Sequence, residues 1–111
     1  SVIYTNPEVA SVGETDESVR AKGIEAETRS LTLRYSGRYV AENEGGDGIV
    51  KIITDKAHHR VLGVHMIGNY ASEIIYGAAM MVEREMRVED VRRFVFPHPT
   101  VCEVIREAMF E

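Results

Sequence analysis

The chain has 111 residues, 13 Lys and Arg against 18 Asp and Glu, and a formal net charge of -5, the size of one domain with a core of its own. No basic cluster exceeds the pair Arg92-Arg93, so the electrostatic footprint of nucleic-acid binding is missing. No apolar run reaches the roughly 18 to 20 residues that cross a bilayer, and neither nucleic acid nor membrane is expected as a partner. Cys102 is the only cysteine, which excludes an intrachain disulfide and leads us to expect a reducing, cytoplasmic location.

The chain opens without an initiator Met, directly in the strand-like Val2-Ile3-Tyr4-Thr5, as a piece of a longer polypeptide would. One domain over residues 1–111, a fragment of a larger protein, is expected. VIYTNPEVASVG reads as two short extended pieces joined by a turn at Asn6-Pro7. A helix follows over Asp16 to Lys22: Thr15 caps it, Asp16 and Glu17 stand where the helix dipole favours acids, and Gly23 ends it. Glu25 to Leu33 and Arg38 to Glu42, either side of a Ser36-Gly37 turn, read as strands with one exposed face.

The glycine-rich stretch Glu44-Gly45-Gly46-Asp47-Gly48 carries acids where a phosphate needs amides, and it precedes a strand instead of a helix. It reads as a hairpin turn. Ile49 to Thr54 and Val61 to Ile67, flanking the turn Asp55 to Arg60, form an antiparallel pair, and VLGVHMIG is apolar enough to be a central strand. Asn69 is expected to cap the longest helix, which runs to about Glu85 with Ile74, Ile75, Ala78, Met81 and Val82 at helical spacing. A shorter helix over Val88 to Arg92 leads to Phe94-Val95-Phe96, and a last helix begins after Thr100. Strands gathered between helices, with hairpin-length connections, predict an α+β fold with a largely antiparallel sheet and helices packed against it.

Most candidate chemistry has an ordinary explanation. Adjacent side chains on a turn diverge, so His58-His59 is expected to be solvent-exposed, not a metal site. His65, inside an apolar strand, is expected to be a hydrogen-bonded core or interface histidine. Met66, Met80, Met81, Met86 and Met109 read as adaptable core or interface fillers. Cys102 would stand near a helix N-terminus, where a thiol is acidified, yet a lone thiol cannot cycle through an internal disulfide; a small packed residue is the plainer reading. No metal site is expected.

FPHPTVCEVIREA differs. The two prolines restrict Phe96 and His98 to extended backbone, so His98 is held in place. Thr100-x-x-Glu103 is a capping box if Thr100 is the N-cap, with the Glu103 carboxylate on the Thr100 N–H. Alternatively Glu103 accepts a hydrogen bond from the His98 imidazole, fixing its tautomer and raising its basicity, while the other ring nitrogen acts as a base. Spacing alone leaves both open.

Four stretches, YTNPEVASVGETDE, SGRYVAENEGGDGIVKII, RVLGVHMIGNYASEIIYGAAMMVE and VEDVRRFVFPHPTVCEVIREA, together resemble the C-terminal interface (dimerisation) domain of the flavin-dependent pyridine-nucleotide disulfide oxidoreductases, most closely the dihydrolipoamide dehydrogenases. The resemblance implies the interface-domain fold, a homodimer, and FAD and NAD domains elsewhere in the parent enzyme, with neither cofactor bound to this fragment alone. It implies that His98, oriented by Glu103, deprotonates dihydrolipoamide at the redox disulfide of the other subunit. His98 and Pro99 would then lie near the partner's FAD, across a cis His98-Pro99 bond. Components of 2-oxo acid dehydrogenase complexes, through their lipoyl domains, are the implied partners.

The 111 residues hold no redox cysteine pair and no dinucleotide glycine fingerprint, so the fragment alone is expected to be inactive. Cys102 stands where the family most often carries serine. Glutathione and mercuric reductases share the HPT element, but a C-terminal cysteine pair of the mercuric type is missing. Two alternatives remain: the interface domain of another such reductase, or a free-standing association module. A hydrolase built on His98 and Glu103 lacks a nucleophile or metal.

Overall fold

The computed structural model describes residues 1–4, 7–33, 48–93 and 102–110. Along the chain run β1 (Val2–Ile3), β2 (Val9–Gly13), α1 (Asp16–Ala21), β3 (Ala26–Thr32), β4 (Ile49–Asp55), β5 (Val61–Ile67), α2 (Ala71–Glu83), α3 (Val88–Arg93) and α4 (Glu103–Ala108). The strands form one sheet in the order β1-β2-β5-β4-β3, every pairing antiparallel. The α+β expectation holds, and VLGVHMI is the central strand. The expected strand Arg38 to Glu42 and the glycine-rich turn lie outside the described residues.

Strand alternation divides the sheet into two faces. Ala10, Leu31, Val50, Ile52, Val64 and Met66 point to one of them and are buried with Ala71, Ile75, Ala78 and Met81 of α2, Val88 and Val91 of α3, and Val104, Ile105 and Ala108 of α4. Helix α2 covers β2 and β5, while α4 covers β3 and β4. On the opposite face, rows follow from the register. Val9, Ile67, Ile49 and Thr32 form one row, Ser11, His65, Lys51 and Ser30 the next, and Gly13, Gly63, Ile53 and Thr28 the third. The third row is covered at its centre, where Gly63 and Ile53 are buried, and α1 is tied to this end by Asp16, which pairs with Lys51 and accepts from Thr28 Oγ1 at 2.9 Å.

The crossing of β2 over β5 explains two glycines and one histidine. A Cβ on Gly63 would stand 2.0 Å from the Glu14 carbonyl oxygen, and one on Gly13 2.2 Å from that of Leu62. Two residues on, His65 Nε2 lies 2.8 Å from the Glu14 carbonyl oxygen, and the Glu14 N–H donates to Leu62 O at 2.9 Å. Gly63 makes room for the Glu14 peptide and His65 holds it, so His65 is the hydrogen-bonded, half-buried histidine that the strand pattern suggests.

Helix α1 begins as its sequence dictates. Thr15 Oγ1 accepts from the Ser18 N–H at 3.0 Å and Ser18 Oγ accepts from the Thr15 N–H at 2.8 Å, a reciprocal capping box. Helix α2 does not. The expected cap, Asn69, gives way to Tyr70, which takes φ 72° and caps with no side-chain bond. Its Ser72 N–H is met from a distance instead: Glu8 accepts from that N–H at 3.2 Å and from Ser72 Oγ at 2.9 Å. A carboxylate 64 residues upstream therefore serves the helix start. The far end stops at Glu83, two residues short of expectation, with Glu85 turning out at φ 52°.

Candidate functional site

The candidate site centres on the connection between α3 and α4, residues 94–102. Of the residues singled out in the sequence, Glu103 and Cys102 are described. His98, Pro99 and Thr100, with the expected cis bond, lie outside the described residues, so the geometry resolves what holds that connection at its two ends.

The α3 end is fixed by the β4–β5 hairpin. Val61 N–H donates to Met86 O at 2.8 Å and Val88 N–H to His59 O at 2.9 Å, while His59 Nδ1 lies 2.7 Å from Glu89 Oε1. The bond from His59 is the leading reason that the Glu89 carboxyl is held below its ordinary value. His58 and His59 are both exposed, as their turn position suggests, and among the described residues no group of His, Cys, Asp and Glu side chains gathers to hold a metal.

The hairpin itself is organised by Asp55, only 4% exposed. Its Oδ1 accepts from the N–H groups of His58 and Arg60, each at 3.0 Å, and its Oδ2 takes a fork from Arg60, 3.0 Å from Nε and 2.8 Å from Nη2. Burial alone would raise this carboxyl; the bonds from the Arg60 backbone and guanidinium and from the His58 N–H outweigh it and leave it below its usual value. Turn composition marks Asp55 as a turn residue, but nothing local marks it as a buried charge.

The α4 end is fixed by packing. Val104, Ile105, Ala108 and Met109 are buried, which anchors a helix of six residues to β3 and β4. Cys102 stands at the cap position with helical angles (φ -65°, ψ -20°), and its carbonyl accepts from the Ile105 N–H at 3.1 Å. Glu103 is the first residue of α4; Thr100, whose capping role would make Glu103 the third, lies outside the described residues. Glu103 is half-buried, as is Cys102.

One side chain joins the two ends. Arg92, near the end of α3, donates from Nε to the Met109 carbonyl at 2.8 Å and from Nη2 to the same oxygen. Its guanidinium carbon lies 4.9 Å from the centre of the Phe110 ring, which Arg106 also approaches at 5.1 Å. Sequence reading missed Arg92, whose only local signal is a cation in the last turn of a helix.

This architecture has known counterparts. The family model described as "Pyridine nucleotide-disulphide oxidoreductase, dimerisation domain" matches residues 1–109. A mitochondrial dihydrolipoyl dehydrogenase of Sus scrofa is 43% identical over 108 residues, 97% of this chain and 21% of the relative. That of Pisum sativum is 40% identical over 107 residues, 96% of this chain and 21% of the relative. The chain therefore spans about a fifth of the length of the curated relatives it matches. Among solved structures, LpdA from Mycobacterium tuberculosis superposes with a TM-score of 0.88 at 28% identity, covering 99% of this chain and 24% of that one. The flavoprotein disulfide reductase RclA from Escherichia coli, at 22% identity, shares the fold with a TM-score of 0.90 over 99% of this chain and 25% of its own. The chain belongs to the dimerisation-domain family of the pyridine nucleotide-disulphide oxidoreductases.

Proposed function

We propose that this chain is the dimerisation domain of a dihydrolipoamide dehydrogenase and that His98 acts across a homodimer as the base that deprotonates dihydrolipoamide. The observation that carries this reading is the identity of about 40% along nearly the whole chain with dihydrolipoyl dehydrogenases from plant, animal and trypanosome. The anchoring of both ends of the 94–102 connection supports it, because a base that must meet another subunit has to be held accurately.

In the proposed step His98 takes a proton from one thiol of dihydrolipoamide, and the thiolate attacks the disulfide of the partner subunit, breaking its S–S bond to give a mixed disulfide and a free enzyme thiolate. The second substrate thiol then attacks the mixed disulfide, releasing lipoamide and the second enzyme thiol. Glu103 accepts the hydrogen bond from the other imidazole nitrogen, fixes the tautomer and balances the charge of the imidazolium. FAD, bound by domains outside this chain, supplies the path for the electron pair to NAD+. The sequence carries no dinucleotide glycine fingerprint, and the chain alone is proposed to be inactive. Lipoyl domains of 2-oxo acid dehydrogenase complexes are the proposed source of substrate.

The test is His98→Gln in the full-length polypeptide. Loss of a general base lowers dihydrolipoamide oxidation by about a hundredfold or more, while NADH-driven reduction of an artificial dye, which needs no thiol base, stays near wild type. Unchanged dihydrolipoamide turnover would overturn the assignment.

A further inference from the structure

We infer that two copies of this chain meet through the outer face of α2, antiparallel about a twofold axis, with Met80 of each copy seated in the notch at Gly77 of the other and Glu73 of each paired with Arg84 of the other. The inference deepens the homodimer of the proposed function and rests on it.

Helix α2 turns Ala71, Ile75, Ala78 and Met81 into the core. Its outer side carries Glu73, Tyr76, Gly77, Met80 and, at the C-cap, Arg84, all exposed. Tyr76 and Met80 stand out among them, 73% and 53% exposed and one helical turn apart. Positions 73, 77, 80 and 84 are spaced four, three and four residues apart, the seam spacing of a helix that packs along another helix. When two such seams run antiparallel about a twofold axis, 77 faces 80, 73 faces 84, and each pairing occurs twice. The charges suit this arrangement. An antiparallel pair sets Glu73 against Arg84 at both ends, roughly 16 Å apart along the axis, with the apolar residues between them; a parallel pair would set glutamate on glutamate and arginine on arginine.

Gly77 points to the same partner. Glycine in mid-helix costs stability relative to alanine, yet no atom of the surrounding fold among the described residues lies within 4 Å of where a Cβ on Gly77 would stand. This chain's own packing therefore gives no reason for the missing side chain, whereas a second helix does. Met80 of the other copy, unbranched and adaptable, fills the notch, and the ring of Tyr76 beside the seam covers its sulfur. The family model that matches the chain is that of a dimerisation domain, which makes a second copy the occupant of this face.

The experiment is sedimentation velocity on the full-length polypeptide over a range of concentrations, comparing wild type with Gly77→Phe, Glu73→Arg, Arg84→Glu and the double variant Glu73→Arg/Arg84→Glu. Gly77→Phe is expected to raise the dimer dissociation constant by about tenfold or more. Each single charge reversal raises it by about fivefold or more, and the double variant returns to within about threefold of wild type. If Gly77→Phe does not fold, the charge reversals and their recovery carry the same test. A Gly77→Phe dimer as tight as wild type, or a double variant no tighter than its single parents, would overturn the inference. A wild type that stays monomeric overturns the homodimer itself; a dimeric wild type indifferent to all four variants overturns only the α2 contact and assigns this face to the rest of the polypeptide.

Discussion

Asp55 is buried at the end of a strand, yet its charge is answered at every oxygen lone pair the fold can reach: two backbone N–H groups on one side and a guanidinium fork on the other. Removing it leaves those donors without their acceptor. Asp55→Ala is expected to cost about 2 to 4 kcal/mol in chemical denaturation. The pH dependence has a definite sign. Because the folded carboxyl is held below its ordinary value, the stabilisation is complete above the unfolded value of about 3.9 and is lost as pH falls through the lower folded value. Thermal melts between pH 6 and pH 2 should therefore show a steeper acid loss for wild type than for Asp55→Asn; identical slopes would contradict the account. Asp55 is also a lesson in what a sequence conceals, since its turn role is visible locally while its burial depends on Arg60 reaching back over it.

At the scale of elements, the legible parts are those whose start and stop signals are local. Helix α1 reads from Thr15, and β4 and β5 read from their apolar runs and shared turn, each within a residue of expectation. Helix α2 is capped at Tyr70, one residue beyond the expected Asn69, and its Ser72 N–H is met by Glu8, just before β2; no pattern around Asn69 announces that. The glycines of the β2–β5 crossing are similar: Gly63 looks like a weak point in an apolar strand until the Glu14 peptide is seen lying against it. Gly63→Ala must push Glu14 outward and break its bond with His65, at an expected cost of about 1 to 3 kcal/mol. A melting temperature indistinguishable from wild type would show that the crossing is more compliant than its geometry implies.

At the scale of the whole molecule, one face of the sheet and three helices form the core, while Tyr76 and Met80 on α2, Ile49 and Ile67 on the sheet, and Phe110 after α4 leave apolar surface exposed. Scattered apolar exposure is ordinary, and the family model that matches the chain is that of a dimerisation domain. The sequence carries this level of description best through the order of its motifs, since the FPHPTVCE element carries the family resemblance while its residues 96–101 lie outside the described residues. Glu103 remains the point where local and functional readings meet: it opens α4, next to the connection that carries His98.

The in-trans role proposed for His98 can be tested with mixed dimers. One full-length subunit carries His98→Gln with its redox disulfide intact, and the other keeps His98 but has its redox cysteines replaced by serine. Each homodimer is expected to be nearly inactive toward dihydrolipoamide. Purified heterodimers should regain one working site, pairing the intact disulfide of the first subunit with His98 of the second, for about half the wild-type turnover per dimer. Heterodimers as inactive as either parent would contradict delivery of the base across the interface.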